Sequence, residues 1–154
     1  MQLTYEDKKA LHKRLLDCYM TVCKGNFSEL PNDNYIFSYI GHHLYEAEMW
    51  SEFPKLYLDL EFIGAKLKIT GPGDLLVDYK KYRKHITAGD ENREAVFEDF
   101  ERFIRSHGLD LHRFQDIDII QCGLQETHTN HVYTEALKIA RRRPNKLYLE
   151  FLLL

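Results

Sequence analysis

The chain has little of what marks the specialised protein classes. Three cysteines, Cys18, Cys23 and Cys122, are too few and too scattered for a disulfide framework, and an odd number leaves one over. Reduced, mostly buried thiols inside a cell are the expectation. No apolar run approaches the roughly 20 residues of a spanning helix, and residues 1–13 are too charged for a secretory leader. A cytoplasmic location with no membrane contact follows as an expectation. With 21 Lys and Arg against 24 Asp and Glu, the net charge is −3, so no excess of cations is present to neutralise phosphates, and no nucleic-acid partner is expected. A G-x-S-x-G nucleophile elbow is missing. Gly71-Pro72-Gly73 lacks the Lys-Ser/Thr of a phosphate-binding loop and follows no convincing strand. The expectation is a chain without catalytic residues and without a cofactor of its own.

What is present is helical patterning. In 154 residues, 44% hydrophobic, there is enough apolar surface for one continuous core. The stretch 30–82 organises the rest: it holds three of the four prolines and half of the aromatics, arranged as short amphipathic helices with polar starts and Gly or Pro stops. Before it, Thr4 caps a helix to about Cys23 with the stripe Leu11, Leu15, Leu16, Tyr19 and Val22. Asn32 or Asp33 caps the next, with Ile36, Tyr39, Ile40, His43, Leu44 and Ala47 as its inner face. Ser51 opens a third helix, in which Pro54 is tolerated within the first turn. Leu56, Leu58, Leu60 and Phe62 alternate with period two, as a strand would, but Asp59 is a good cap, and Ile63, Lys66, Leu67 and Thr70 continue at helical spacing. Two helices meeting at Asp59 are expected.

Thr70-Gly71-Pro72-Gly73 is the clearest punctuation, and Leu75, Leu76, Tyr79, Tyr82, Arg83 and Ile86 then make the fifth helix. After a polar loop at 88–92, Val96, Phe97, Phe100, Phe103 and Ile104 mark a sixth helix that Gly108 should terminate. Short turns at 109–114 and 117–124 follow. The last long helix begins near Thr129, buries Val132, Tyr133, Ala136, Leu137 and Ala140, and ends in Arg141, Arg142 and Arg143 before Pro144. The fold expected is all-α, roughly eight short helices stacked as antiparallel pairs in an armadillo- or solenoid-like array. Residues 1–146 form the helical domain and 147–154 a short extended segment. That segment, Leu147-Tyr148-Leu149-Glu150-Phe151-Leu152-Leu153-Leu154, is unusually apolar for a terminus and reads as a cut through a longer polypeptide. Leu147, Tyr148, Leu149 and Phe151 are therefore the candidate interdomain contacts.

Other groupings have simpler explanations. His128 and His131 share a helix face, with Cys122 near in sequence, but a structural zinc site needs four ligands. Adjacent His42 and His43 diverge by about 100°, and His43 fits a hydrogen-bonded edge of the core. Tyr35, Tyr39, Tyr79 and Tyr82 could line a groove in a free-standing helical adaptor that binds a peptide or protein. Lys138, Arg141, Arg142, Arg143 and Lys146 form one basic cluster, accounted for by the helix dipole and solvation.

The order of several motifs carries a resemblance. Leu11-His12-Lys13-Arg14-Leu15-Leu16, Asp33-Asn34-Tyr35 and Tyr39-Ile40-Gly41-His42-His43-Leu44 with Glu46-Ala47 are followed by Leu58-Asp59-Leu60-Glu61-Phe62-Ile63 and Ala65-Lys66-Leu67. Thr70-Gly71-Pro72-Gly73-Asp74-Leu75-Leu76 and Asp78-Tyr79 complete the series. Together they resemble the second helical domain of the apoptotic protease-activating factor family, especially the insect Apaf-1-related killer branch. Val132-Tyr133 and then Leu147-Tyr148-Leu149-Glu150-Phe151 are similar to the end of that domain. The resemblance implies a non-catalytic arm of an apoptosome ATPase, preceded by winged-helix and nucleotide-binding domains and followed by WD-repeat propellers. It implies ATP, dATP or ADP bound in the longer protein and not here, and an initiator caspase engaged indirectly through the assembly.

Overall fold

A computed structural model describes residues 2–149. Most helix starts follow from a short polar side chain. Thr4 and Asp7 form a capping box, each accepting the other's backbone N–H at 3.1 and 3.0 Å, and α1 runs Tyr5–Val22. Lys24 and Gly25 turn the chain at positive φ into a single 3-10 turn, Phe27–Glu29. Asp33 Oδ1 accepts the N–H groups of Tyr35 and Ile36, both at 3.0 Å, and thereby opens α2, Ile36–Glu46. α3 spans Glu52–Tyr57, and α4, Leu60–Thr70, starts at Asp59, whose carboxylate accepts from Glu61 N–H. The period-two alternation of leucines is thus the end of one helix abutting the start of the next, broken by the extended backbone of Asp59.

Gly71, at φ +82°, separates α4 from α5, Pro72–Thr87, a conformation that favours glycine. Asp90 opens α6, Glu91–Arg113, Asp118 opens α7, Ile119–Gly123, and Asn130 opens α8, His131–Arg141. α6 continues straight through Gly108, which was expected to end it. A Cβ there would lie 2.7 Å from Pro72 Cβ and 3.3 Å from Leu67 Cδ2, so glycine lets α6 approach the α4–α5 turn closely. Beyond it, fully buried Leu111 and a 2.8 Å hydrogen bond between His112 Nδ1 and Leu67 O hold the added turn in place.

Among the described residues the helices pack as α1 on α2, α5 on α6 and α7 on α8, with α4 at the centre touching α2, α3, α5, α6, α7 and α8. One apolar core reaches from Leu16 to Ile139. Four expected core positions lie outside it. Leu11 and Val22 are exposed and Leu15 is half-buried because α1 has a neighbour on one side only, and Tyr39 faces out, its ring 4.7 Å from that of Tyr35. Cys18 is likewise exposed, Cys122 is half-buried and Cys23 is buried, so the thiols are not mostly buried; all three are free.

At the centre sits a buried charge. Lys66, fully excluded from solvent, donates to Phe37 O of α2 at 2.6 Å and to Asp74 of α5 at 2.9 Å, with Asp78 3.8 Å away. Asp78 in turn accepts from Tyr57 of α3 at 2.8 Å. Burial pushes the Asp78 carboxyl above the usual range, although Lys66 and the Tyr57 hydroxyl pull the other way. Lys66→Met should cost about 3 kcal/mol, because it leaves the Phe37 carbonyl without a donor and Asp74 and Asp78 without the charge that faces them. An unchanged urea midpoint would remove Lys66 from this role.

The α1–α2 contact is made by histidines. His12 Nδ1 and His43 Nδ1 are 2.8 Å apart, and His43 Nε2 is 2.8 Å from the Tyr35 hydroxyl. Burial, and then the charges of His12 and His42, lower the His43 pKa from 6.5 to about 4. The unfolded chain therefore takes up this proton first as the pH falls, and stability is lost between pH 6.5 and about 4. A pH series of denaturation midpoints should show that slope, and His43→Gln should flatten it.

Candidate interdomain site

The site is built where the chain leaves α8. Arg143 donates to Glu61 of α4 at 3.0 Å and to the Tyr148 hydroxyl at 2.8 Å. Asp118, already the cap of α7 through Ile120 N–H, also accepts from Lys146. Two glutamines one turn apart then take hold of the following backbone. Gln121 donates to Leu149 O at 2.5 Å and accepts Leu149 N–H at 2.8 Å, and Gln125 donates to the same carbonyl at 2.9 Å. A side-chain amide has the donor and acceptor of a peptide group, so Gln121 pairs with Leu149 as a neighbouring strand would.

This arrangement fixes the backbone and leaves its apolar side chains unoccupied. Leu147 is 98% exposed and Leu149 78%, whereas Tyr148 folds back against the core. Of the four contacts expected from the sequence, Leu147 and Leu149 point outward, Tyr148 packs on the core, and Phe151 lies outside the described residues. The basic cluster divides: Arg142, Arg143 and Lys146 pair with Glu61 and Asp118, while Lys138 pairs with Glu135 along α8. Glu61, Asp118, Gln121 and Gln125 were not anticipated as part of it. Only the four-residue spacing of the glutamines hinted at a shared face.

The other sequence candidates lie elsewhere. His131 donates its backbone N–H to Asp99 and places Nδ1 2.6 Å from the same carboxylate. His128 stacks on Tyr133 with ring centres 4.6 Å apart, and Cys122 lines a cleft with Leu147 and Tyr148. Among the described residues no group of three His, Cys, Asp or Glu side chains is placed to hold a metal ion. Tyr79 and Tyr82 are buried in the core, so they cannot line a groove with exposed Tyr35 and Tyr39. Their positions on the apolar stripe of α5 send them inward.

Residues 8–143 match the family described as the APAF-1 helical domain. The chain belongs to that family. It is 34% identical over 146 residues to human apoptotic protease-activating factor 1, which covers 92% of this chain and 12% of the human protein. The mouse protein of the same name is 34% identical over 120 residues, covering 77% and 9%. The chain thus spans about an eighth of the human relative or less of the mouse one. The APAF-1 helical domain is a non-catalytic region, and this chain is not itself an enzyme. Among the described residues no helix is long and apolar enough to cross a membrane.

The tether depends on Asp118. Burial works against its ionisation, but the Lys146 hydrogen bond, Ile120 N–H and the charges of Lys146 and Arg143 outweigh it and hold the carboxyl below its ordinary 3.8. Its contribution to stability is complete well above that value and is lost as the pH falls through the lower folded one. An NMR titration should place the Asp118 midpoint below 3.8, and Lys146→Met should raise it. A wild-type midpoint at the ordinary value would dissolve the tether.

Proposed function

We propose that this chain is the helical arm of an apoptosome-type ATPase scaffold, joining a nucleotide-binding hub to WD-repeat propellers during oligomeric caspase activation in the cytoplasm. The match of residues 8–143 to the APAF-1 helical domain carries this reading. It is supported by relatives named apoptotic protease-activating factor 1, in which the matching region is a small part of a long protein. The ordered motifs from Leu11 to Tyr79 favour the insect Apaf-1-related killer branch of the family. An arm needs rigidity and two attachment points and no reactive centre. Here the polar groups of the interior are used to bind helices together, and Leu147 and Leu149 are held out on a tethered backbone.

On this reading, residues 1–146 are the arm and residues 147–154 lead into the next domain, with Leu147, Tyr148, Leu149 and Phe151 at the junction. The preceding neighbour is the winged-helix and ATPase region, and ATP, dATP or ADP is bound there. The initiator caspase is reached only through the assembled scaffold. An antibody against this chain, used on an extract of the source cells, should detect a polypeptide several times heavier than 18.3 kDa. A band at that mass would overturn the arm assignment, as would micromolar ATP affinity of the isolated chain in calorimetry. Leu147→Asp with Leu149→Asp should change the stability of the isolated chain by less than about 0.5 kcal/mol and weaken coupling between arm and propeller in the longer protein.

A further inference from the structure

α1 is held along one side only. It packs on α2, and Leu16 is the only buried residue among its 18. A second apolar line runs along it: Leu11, Leu15, Cys18 and Val22 recur at intervals of four, three and four, which keeps them on one helix face. That face is about a third of a turn from Leu16 at roughly 100° per residue. Leu11 is 50% exposed and Val22 65%, and Leu3, 52% exposed, extends the line beyond the helix start. Such a row of large exposed side chains exceeds the scattered single hydrophobics normal on a surface. Beside it lies a cleft of about 350 Å³, lined by Leu3, Lys8, Leu11, His12, Leu15 and His43.

Cations flank this face on both sides. Lys8 and Arg14 lie three residues before and after Leu11, are exposed, and form no ion pair among the described residues. Lys9, one position further round toward α2, is paired with Glu48 at 2.9 Å. The nearest acid on the stripe side, Asp7, is taken up by the Thr4 capping box. A second copy of this chain laid parallel on the face would bring Lys8 and Arg14 against their own counterparts, which like-charge repulsion opposes. An apolar row between unpaired cations is complementary to a helix with an apolar stripe and acidic flanks.

We propose that this face of α1 is a docking surface for an acidic amphipathic helix of a partner protein. Its apolar side chains lie over Leu11, Leu15 and Val22, and its carboxylates meet Lys8 and Arg14. The proposal is independent of the arm role.

Cys18 is a built-in reporter, being a free and exposed thiol in the middle of the row. The experiment follows alkylation of Cys18 by N-ethylmaleimide, read by peptide mass spectrometry on the whole chain. The probes are two synthetic helices of roughly 18 residues, five turns, with leucine at heptad positions a and d and either glutamate or lysine elsewhere. The glutamate peptide should slow alkylation of Cys18 about tenfold or more, the equivalent of 1.4 kcal/mol, and the lysine peptide should leave it unchanged. The double variant Lys8→Glu with Arg14→Glu, checked by circular dichroism, should reverse that preference. Equal protection by both peptides, or by neither, would overturn the proposal. Protection of Cys18 that grows with the chain's own concentration and no peptide would also overturn it, assigning the face to a second copy.

Discussion

An ammonium group with no access to water is the constraint around which this domain is arranged. Lys66 projects from the central helix α4 and is met by a backbone carbonyl of α2 and by carboxylates of α5, one of which is bound to a tyrosine of α3. Removing a charge from water costs several kcal/mol, and only close, complete pairing offsets it. The four helices must therefore meet in one geometry for Lys66 to be satisfied. Asp74 lies partly in solvent, with 41% of its side chain exposed, so the network links the buried centre to the surface beside Tyr39 and Thr70, where a polar cleft opens.

Away from that centre, polar contacts at the surface take over from burial. α1 is attached through two histidines, the Lys9–Glu48 pair and a single fully buried leucine. The segment after α8 is attached through Arg143, Asp118 and two glutamines. Both ends of the described chain hold exposed apolar residues on backbones that are nonetheless fixed. A domain of this kind presents apolar surfaces at its ends and keeps its charged network buried in the middle.

Much of the helical plan was legible because caps and stops are local. Thr4, Asp33, Asp59, Gly71 and Pro72 act on backbone groups within a few residues, so their meaning does not depend on distant parts of the chain. Gly108 was misread for the same reason in reverse. A glycine that ends a helix and one that admits a neighbouring helix look identical until the neighbour, here Pro72 and Leu67, is in place. The candidate site was half legible: Leu147 and Leu149 stood out by their apolarity near a terminus, whereas Glu61 lies 82 residues from the Arg143 it binds.

The sequence by itself determined where the helices begin and end, which face of most of them is apolar, and the family to which the chain belongs, because these rest on nearest-neighbour chemistry and on motif order. Tertiary structure alone decided which apolar faces find a partner. Leu11, Leu15 and Val22 repeat at helical spacing as a buried stripe would, yet it is Leu16, about a third of a turn away, that is buried where α1 packs on α2. It alone decided, too, that Lys66 on an apolar stripe is satisfied by carboxylates eight and twelve residues on and by a carbonyl 29 residues back. Burial and charge pairing depend on the whole packing arrangement, and a local pattern states only that a side chain could take part in it.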